Sequence, residues 1–135
     1  MPAKIAKGVL DVGMVTDDGK AALAFFRDLL GFVEAGEVPF PGLGTVRRLS
    51  CGETIFRILD LEKAPPSRAS TAAFTDQTGL RYLTLHVSNL DELVAEAVKA
   101  GYPNPVPPRI LRPGVRVAQI TDGRGITVEL MQSEA

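Results

Sequence analysis

The chain has 135 residues, a formal net charge of −1, 45% hydrophobic residues and 23% charged residues. That length suffices for one domain with a real core, and the near-zero charge gives no electrostatic case for binding nucleic acid or an anionic membrane. No apolar run is long enough to span a bilayer, the N-terminus lacks the apolar core of a signal peptide, and the single cysteine, Cys51, excludes an internal disulfide, so a reduced, cytoplasmic setting is expected.

Residues 9–15 alternate as a strand with two different faces, Val12 and Met14 on one side and Asp11, Gly13 and Val15 on the other. A helix is expected to start near Asp17 or Asp18, either of which can cap free N–H groups. Its apolar stripe is Ala22, Leu23, Phe26, Leu29 and Leu30, and Gly31 supplies the left-handed stop. A Pro- and Gly-rich stretch over 36–44 reads as a loop, with a possible short strand near 33–38, and strands follow over roughly 45–50 and 54–61, turning at Gly52. Residues 62–79 are polar, Ala-rich and Pro-containing. They read as a linker, of a length that is unusual in a compact domain unless functional or mobile.

The second half repeats this order. Leu83, Leu85 and Val87 face one side of a strand, and Tyr82, Thr84 and His86 face the other. Asn89 with Glu92 forms a capping-box pattern ahead of the stripe Leu90, Leu93, Val94, Ala97 and Val98, and Gly101 ends that helix. Residues 102–114 read as a second Pro- and Gly-rich loop, followed by strands over roughly 115–121 and 126–131 joined at Gly123-Arg124-Gly125. That turn joins two strands and opens no helix, so it is not a phosphate loop.

The halves superpose in sequence. Asp11 aligns with Tyr82 at an offset of 71 residues, and Arg57 aligns with Glu129 at 72. A repeat this long marks a duplicated supersecondary unit of βαβββ (or βαββ) form. In both copies the apolar parity suits packing against the helix. The other parity carries Asp11, Arg57, Tyr82, Thr84, His86, Thr127 and Glu129. Charges in mid-strand must be paired or face water, so this face either lies on the surface or lines a shared cavity, and the duplication favours the cavity.

The pattern from Val12 to Phe26, with Leu29-Leu30-Gly31-Phe32, resembles the opening of the vicinal oxygen chelate superfamily, which includes glyoxalase I, bleomycin-resistance proteins, extradiol dioxygenases and methylmalonyl-CoA epimerase. The ending from Asp122-Gly123-Arg124-Gly125 to Leu130 is similar to its closing hairpin, so the likeness spans about residues 8–132. It implies a single α+β domain over residues 1–135, with two tandem βαβββ modules forming a curled mixed sheet around a cleft. Module one would span about 8–61, the linker about 62–79 and module two about 80–132. The resemblance also implies a homodimer.

Metal-dependent members of that superfamily place one ligand, usually His or Glu, on each of four strands. The matching positions here are Asp11, Arg57, Tyr82 and Glu129, of which only Glu129 is a usual ligand. Arginine stays protonated and donates no lone pair to a metal, and tyrosine ligates only when deprotonated. No bound transition metal and no other cofactor are therefore expected; Asp11 and Glu129 with waters would suit Mg²⁺ or Mn²⁺. Arg57 can sit in the metal's place, its donors serving carboxylates or an anionic ligand.

Asp11, Arg57 and Glu129 read either as a structural ion network or as catalytic groups. In the second case Asp11 or Glu129 is the base, and Arg57 stabilises a carboxylate, enolate or other polarised oxygen. Tyr82, Thr84, His86 and Thr127 are the candidate substrate-binding residues, though Tyr82 can equally pack and a lone histidine is more often a rim residue. Cys51 reads as a free thiol. Arg47, Arg48, Arg112 and Arg116 read as mostly solvated, and Phe40 and Phe74 as loop aromatics able to cover a cleft. The functional expectation is a metal-independent enzyme moving a proton next to a carbonyl (isomerase, lyase or hydrolase chemistry) on a small organic ligand, anionic or carbonyl-containing. Two alternatives stand beside it: a non-catalytic drug- or metabolite-sequestering protein, and a metal-dependent enzyme of glyoxalase, epimerase or dioxygenase type.

Overall fold

A computed structural model describes residues 1–134, which form two compact units, Met1–Pro66 and a second beginning at Ser67. In the first, β1 (Val12–Thr16) leads to α1 (Gly19–Leu23), a π-helical continuation (Ala24–Leu29), then β2 (Val33–Phe40), β3 (Gly44–Cys51) and β4 (Thr54–Leu61). In the second, β5 (Tyr82–His86) leads to α2 (Leu90–Lys99), β6 (Val106–Arg112), β7 (Val115–Thr121) and β8 (Thr127–Ser133). Each unit is therefore α+β and βαβββ. The sheets are open, four-stranded and mixed, in the orders β1-β4-β3-β2 and β5-β8-β7-β6. The first strand of each runs parallel to the last, and the remaining pairs are antiparallel.

The two stretches expected as loops, 36–44 and 102–114, contain strands. Proline is tolerated on a sheet edge, where its missing N–H costs no ladder bond. β2 and β6 are edge strands. β2 carries Pro39 and absorbs an irregularity between Glu34 and Gly36, the glycine sitting at φ 115°. β6 carries Pro107 and Pro108 within the register shift between Val106 and Arg109, and a second shift falls between Ile110 and Arg112.

Asp18 caps α1 as expected, its Oδ1 accepting from Ala21 N–H at 3.0 Å. Beyond Leu23 the helix widens, with Leu30 N–H bonded to the Phe25 carbonyl five residues back. This turn buries Phe25 and Phe26 together, whereas Leu29 and Leu30 of the expected stripe are only half-buried. Phe26 stacks on Phe56 with ring centroids 4.3 Å apart and meets Phe25 edge-on at 4.9 Å, so an aromatic cluster anchors the first core beside Leu49 and Ile58.

Asn89 stands at the cap position of α2, but its side chain makes no capping bond. Gln132 of β8 supplies the acceptor instead, its Oε1 lying 2.8 Å from Leu90 N. The helix buries Leu90, Leu93, Val94 and Ala97 against β6, β7 and β8, while Val98 is exposed. It ends in a Schellman motif, with Tyr102 N–H on the Ala97 carbonyl, Gly101 N–H on the Val98 carbonyl, and Gly101 at φ 90°.

Candidate functional site

In the first unit the polar parity brings two candidate residues together. Asp11 immediately precedes β1, and Arg57 lies on β4 opposite Gly13. With no side chain at Gly13, the Arg57 guanidinium reaches along the strand, and its Nη2 donates to Asp11 Oδ2 at 3.1 Å. Asp11 Oδ1 accepts from Ile55 N–H at 3.1 Å. Each side chain of the pair keeps 42% of its surface exposed. Both carboxylate oxygens of Asp11 thus hold donors.

The second unit uses the equivalent positions differently. Tyr82 pairs with Thr127 across β5 and β8, and Thr84 pairs with Glu129. Thr84 Oγ1 donates to Glu129 Oε1 at 3.1 Å, and among the described residues Oε2 of Glu129 carries no partner. The Tyr82 ring meets Phe74 edge-on at 5.5 Å, and His86 is exposed at the end of β5 opposite Met131. The same face of β7 is not wholly polar, since Val115 and Val117 are buried on it alongside Gln119 and Thr121.

These donors do not suit a metal. Arg57 cannot ligate, Asp11 already accepts from an amide and a guanidinium, and Tyr82 offers a phenol. Among the described residues no group of three or more His, Cys, Asp or Glu is placed to hold an ion.

The second unit contains a cavity of about 730 Å³, within the size range of small-molecule sites. One wall is the linker segment Ser70–Thr75; the facing wall is Gln119, Thr121 and Thr127. Pro103–Val106, Arg81 and the glycines of the 123–125 turn complete it. Of the candidate residues only Thr127 lines it.

The linker is an ordered wall. Ser70 Oγ donates to Asp76 Oδ2 at 2.7 Å and accepts from Ala72 N–H at 3.1 Å. Arg81 Nη1 donates to Asp76 Oδ1 at 3.1 Å and to the Gln77 carbonyl at 2.9 Å. The Ser70 hydroxyl and then the Arg81 guanidinium hold the Asp76 carboxyl below its usual range. At the base of the wall, Gly125 approaches Ala69 so closely that a Cβ added there would lie 2.6 Å from the Ala69 Cβ. On the opposite wall, Asn104 Nδ2 donates to the Gln119 carbonyl at 2.7 Å and to the Val106 carbonyl at 3.0 Å.

The sequence signal for this cavity was the unusual length of the linker and the presence of Phe74 within it. The other arginines are engaged elsewhere. Arg116 forms a bidentate pair with Asp91 at 2.8 and 2.9 Å, Arg47 bridges Glu37 and Asp60, and Arg48 donates to the Ala35 carbonyl. Arg112 is exposed at the end of β6, Phe40 is 48% exposed at the end of β2, and Cys51 is half-buried at its hairpin.

Residues 8–130 match the profile of the Glyoxalase/Bleomycin resistance protein/Dioxygenase superfamily. A glyoxalase family protein from Bacillus cereus shares the fold at a TM-score of 0.83 and 19% identity, over 100% of both chains. The fosfomycin resistance protein FosX from Mesorhizobium loti aligns at a TM-score of 0.65 and 15% identity, over 93% of this chain and 91% of its own. A lactoylglutathione lyase from Agrobacterium tumefaciens aligns at 0.61 and 20%, over 97% and 94%. A comparison with curated proteins gives no match. Among the described residues no helix is long and apolar enough to cross a membrane.

Proposed function

This chain belongs to the glyoxalase/bleomycin resistance protein/dioxygenase superfamily, and we propose that it binds a small organic molecule in the cavity of its second unit. The observation that carries this reading is the cavity itself, about 730 Å³ and walled by an ordered loop on one side and β7 and β8 on the other. Among the described residues its polar lining is made of hydroxyls and amides apart from Arg81, with no carboxylate or imidazole. Such a lining orients a ligand but supplies no general base, which favours retention of the molecule over its conversion. Metal independence is part of the same proposal, since Asp11, Arg57, Tyr82 and Glu129 are a poor donor set for a divalent ion. So are a homodimer, one folding domain over residues 1–135 and a reducing, cytoplasmic setting, the last resting on the lone Cys51.

Protein-detected NMR with a fragment library tests the cavity. Bound fragments are expected to shift the amides of Thr71, Gln119 and Thr127, and Ala73→Trp, which fills the space, is expected to remove those shifts. Fragments that leave these amides still, or that bind the filled variant equally well, refute the reading.

One observation keeps a catalytic reading alive. Glu129 is half-buried, two residues along β8 from cavity-lining Thr127, and its Oε2 has no partner among the described residues. A carboxylate so placed can remove a proton next to a carbonyl. Deuterium uptake from solvent into β-keto ester probes, resistant to chelator and abolished by Glu129→Gln, is the expected signature. Uptake unchanged by that substitution excludes Glu129 as the base.

A further inference from the structure

We infer that the second-unit cavity selects neutral ligands over anions, because its one charged wall residue, Arg81, is already neutralised from within the loop by Asp76. This rests on the cavity being the ligand site. Among the described residues lining it, Arg81 alone carries a formal charge. Its side chain is only 14% exposed, and Nη1 is committed to the Asp76 carboxylate and the Gln77 carbonyl. Asp76 is doubly fixed, since Ser70 Oγ donates to its other oxygen at 2.7 Å. The carboxyl stays ionised well into the acid range, so the pair persists at neutral pH.

The remaining polar groups are the hydroxyls of Ser70, Thr71, Thr75, Thr121 and Thr127 and the amides of Asn104 and Gln119. Pro103, Pro105 and Phe74 add apolar surface. An anion entering this space loses its hydration and meets a guanidinium whose charge Asp76 already balances, whereas a neutral amide or alcohol exchanges water hydrogen bonds for equivalent ones. The class indicated is a neutral molecule with amide, hydroxyl or carbonyl groups and one flat apolar face. Asp76 and Arg81 are then specificity-determining residues, and Asp76→Asn, which keeps the hydrogen-bonding shape while removing the charge, should convert the preference.

Matched probes test this. Benzamide and benzoate, and nicotinamide and nicotinate, share shape and differ in charge. Titrated into the full chain, with the amides of Thr71, Gln119 and Thr127 as reporters, the carboxamides are expected to bind the wild type at least about tenfold more tightly than the carboxylates. In Asp76→Asn the unbalanced guanidinium charge is expected to raise carboxylate affinity by about tenfold, with a dependence on salt. The double variant Asp76→Asn with Arg81→Gln is expected to return to the wild-type preference, tying the gain to Arg81 rather than to a loosened loop. Equal binding of both charge forms by the wild type overturns the inference and leaves the cavity as the ligand site. So does an Asp76→Asn variant that gains no carboxylate affinity while still binding carboxamides. Probes that move none of these amides in any form overturn the cavity reading and this inference with it.

Discussion

Gly125→Ala tests whether the linker truly closes over the second unit. Gly125 sits at φ 111°, and the added Cβ would lie 2.6 Å from the Ala69 Cβ and 3.1 Å from the Ser70 carbonyl oxygen. Backbone strain at such a φ costs on the order of 1–3 kcal/mol. Forcing a methyl into filled space adds about 1–3 kcal/mol. Gly123 is the natural control, because it lies in the same turn at φ 75° with only Pro103 Cδ, at 3.9 Å, near its added Cβ. Gly123→Ala carries the strain without the collision, about 1–2 kcal/mol. The linker contact alone should therefore separate the two variants by about 1–3 kcal/mol, or roughly 4–12 °C in Tm for a chain of this size. The loop can also relieve the clash by lifting away. In that case Tm matches the control and limited proteolysis cuts residues 67–79 faster in Gly125→Ala. Equal Tm and equal cleavage in the two variants would refute the docking of Ala69 and Ser70 on the turn.

Phe25→Ala is expected to destabilise by about 3–5 kcal/mol in urea unfolding, since the π turn buries that ring fully, whereas Leu29→Ala at a half-buried position should cost less. Gln132→Ala should cost about 1 kcal/mol by removing the acceptor for Leu90 N–H, with Asn89→Ala close to neutral; the reverse order would restore the capping box that the sequence suggested. Arg57→Ala should cost less than about 1 kcal/mol, as expected for an exposed pair, and Asp11→Ala more, because Ile55 N–H also loses its acceptor. Asp76 and Asp91 are held below their usual range by Ser70 with Arg81 and by Arg116, respectively. Their contribution is present above the unfolded carboxylate value of about 4 and is lost as pH falls through the depressed folded values, so acid melts of Asp76→Asn should show a shallower decline below about pH 4.

Much of the fold was legible because duplication and periodicity act locally. The strand parities, the first helix cap at Asp18 and the stops at Gly31 and Gly101 all follow from neighbours along the chain. What escaped was set by tertiary position. Pro39, Pro107 and Pro108 read as loop until their strands are known to be edges. Phe25 falls off a stripe drawn with ordinary helical spacing, and the widened turn brings it back. Asn89 has the right chemistry and spacing, but Gln132, 42 residues along the chain from Leu90, takes the bond. At the candidate site the residue types and parities were readable. The partners were not, because whether Arg57 meets Asp11 depends on a side chain crossing the open position at Gly13.

The duplication makes the difference between the two units informative. Equivalent strand positions carry an ion pair in the first, where Arg57 donates to one Asp11 oxygen and the Ile55 amide to the other. In the second they carry an open one, where Glu129 keeps an uncommitted oxygen and Thr127 faces a cavity. The first arrangement is closed by its own ion pair, while in the second the Glu129 carboxylate lies two residues along β8 from cavity-lining Thr127. The same asymmetry extends to the linker, whose residues from Ser67 onward belong to the second unit and build its wall. On the proposed reading, recognition rests on the hydroxyls and amides of the second unit and the loop that precedes it rather than on Asp11, Arg57, Tyr82 and Glu129.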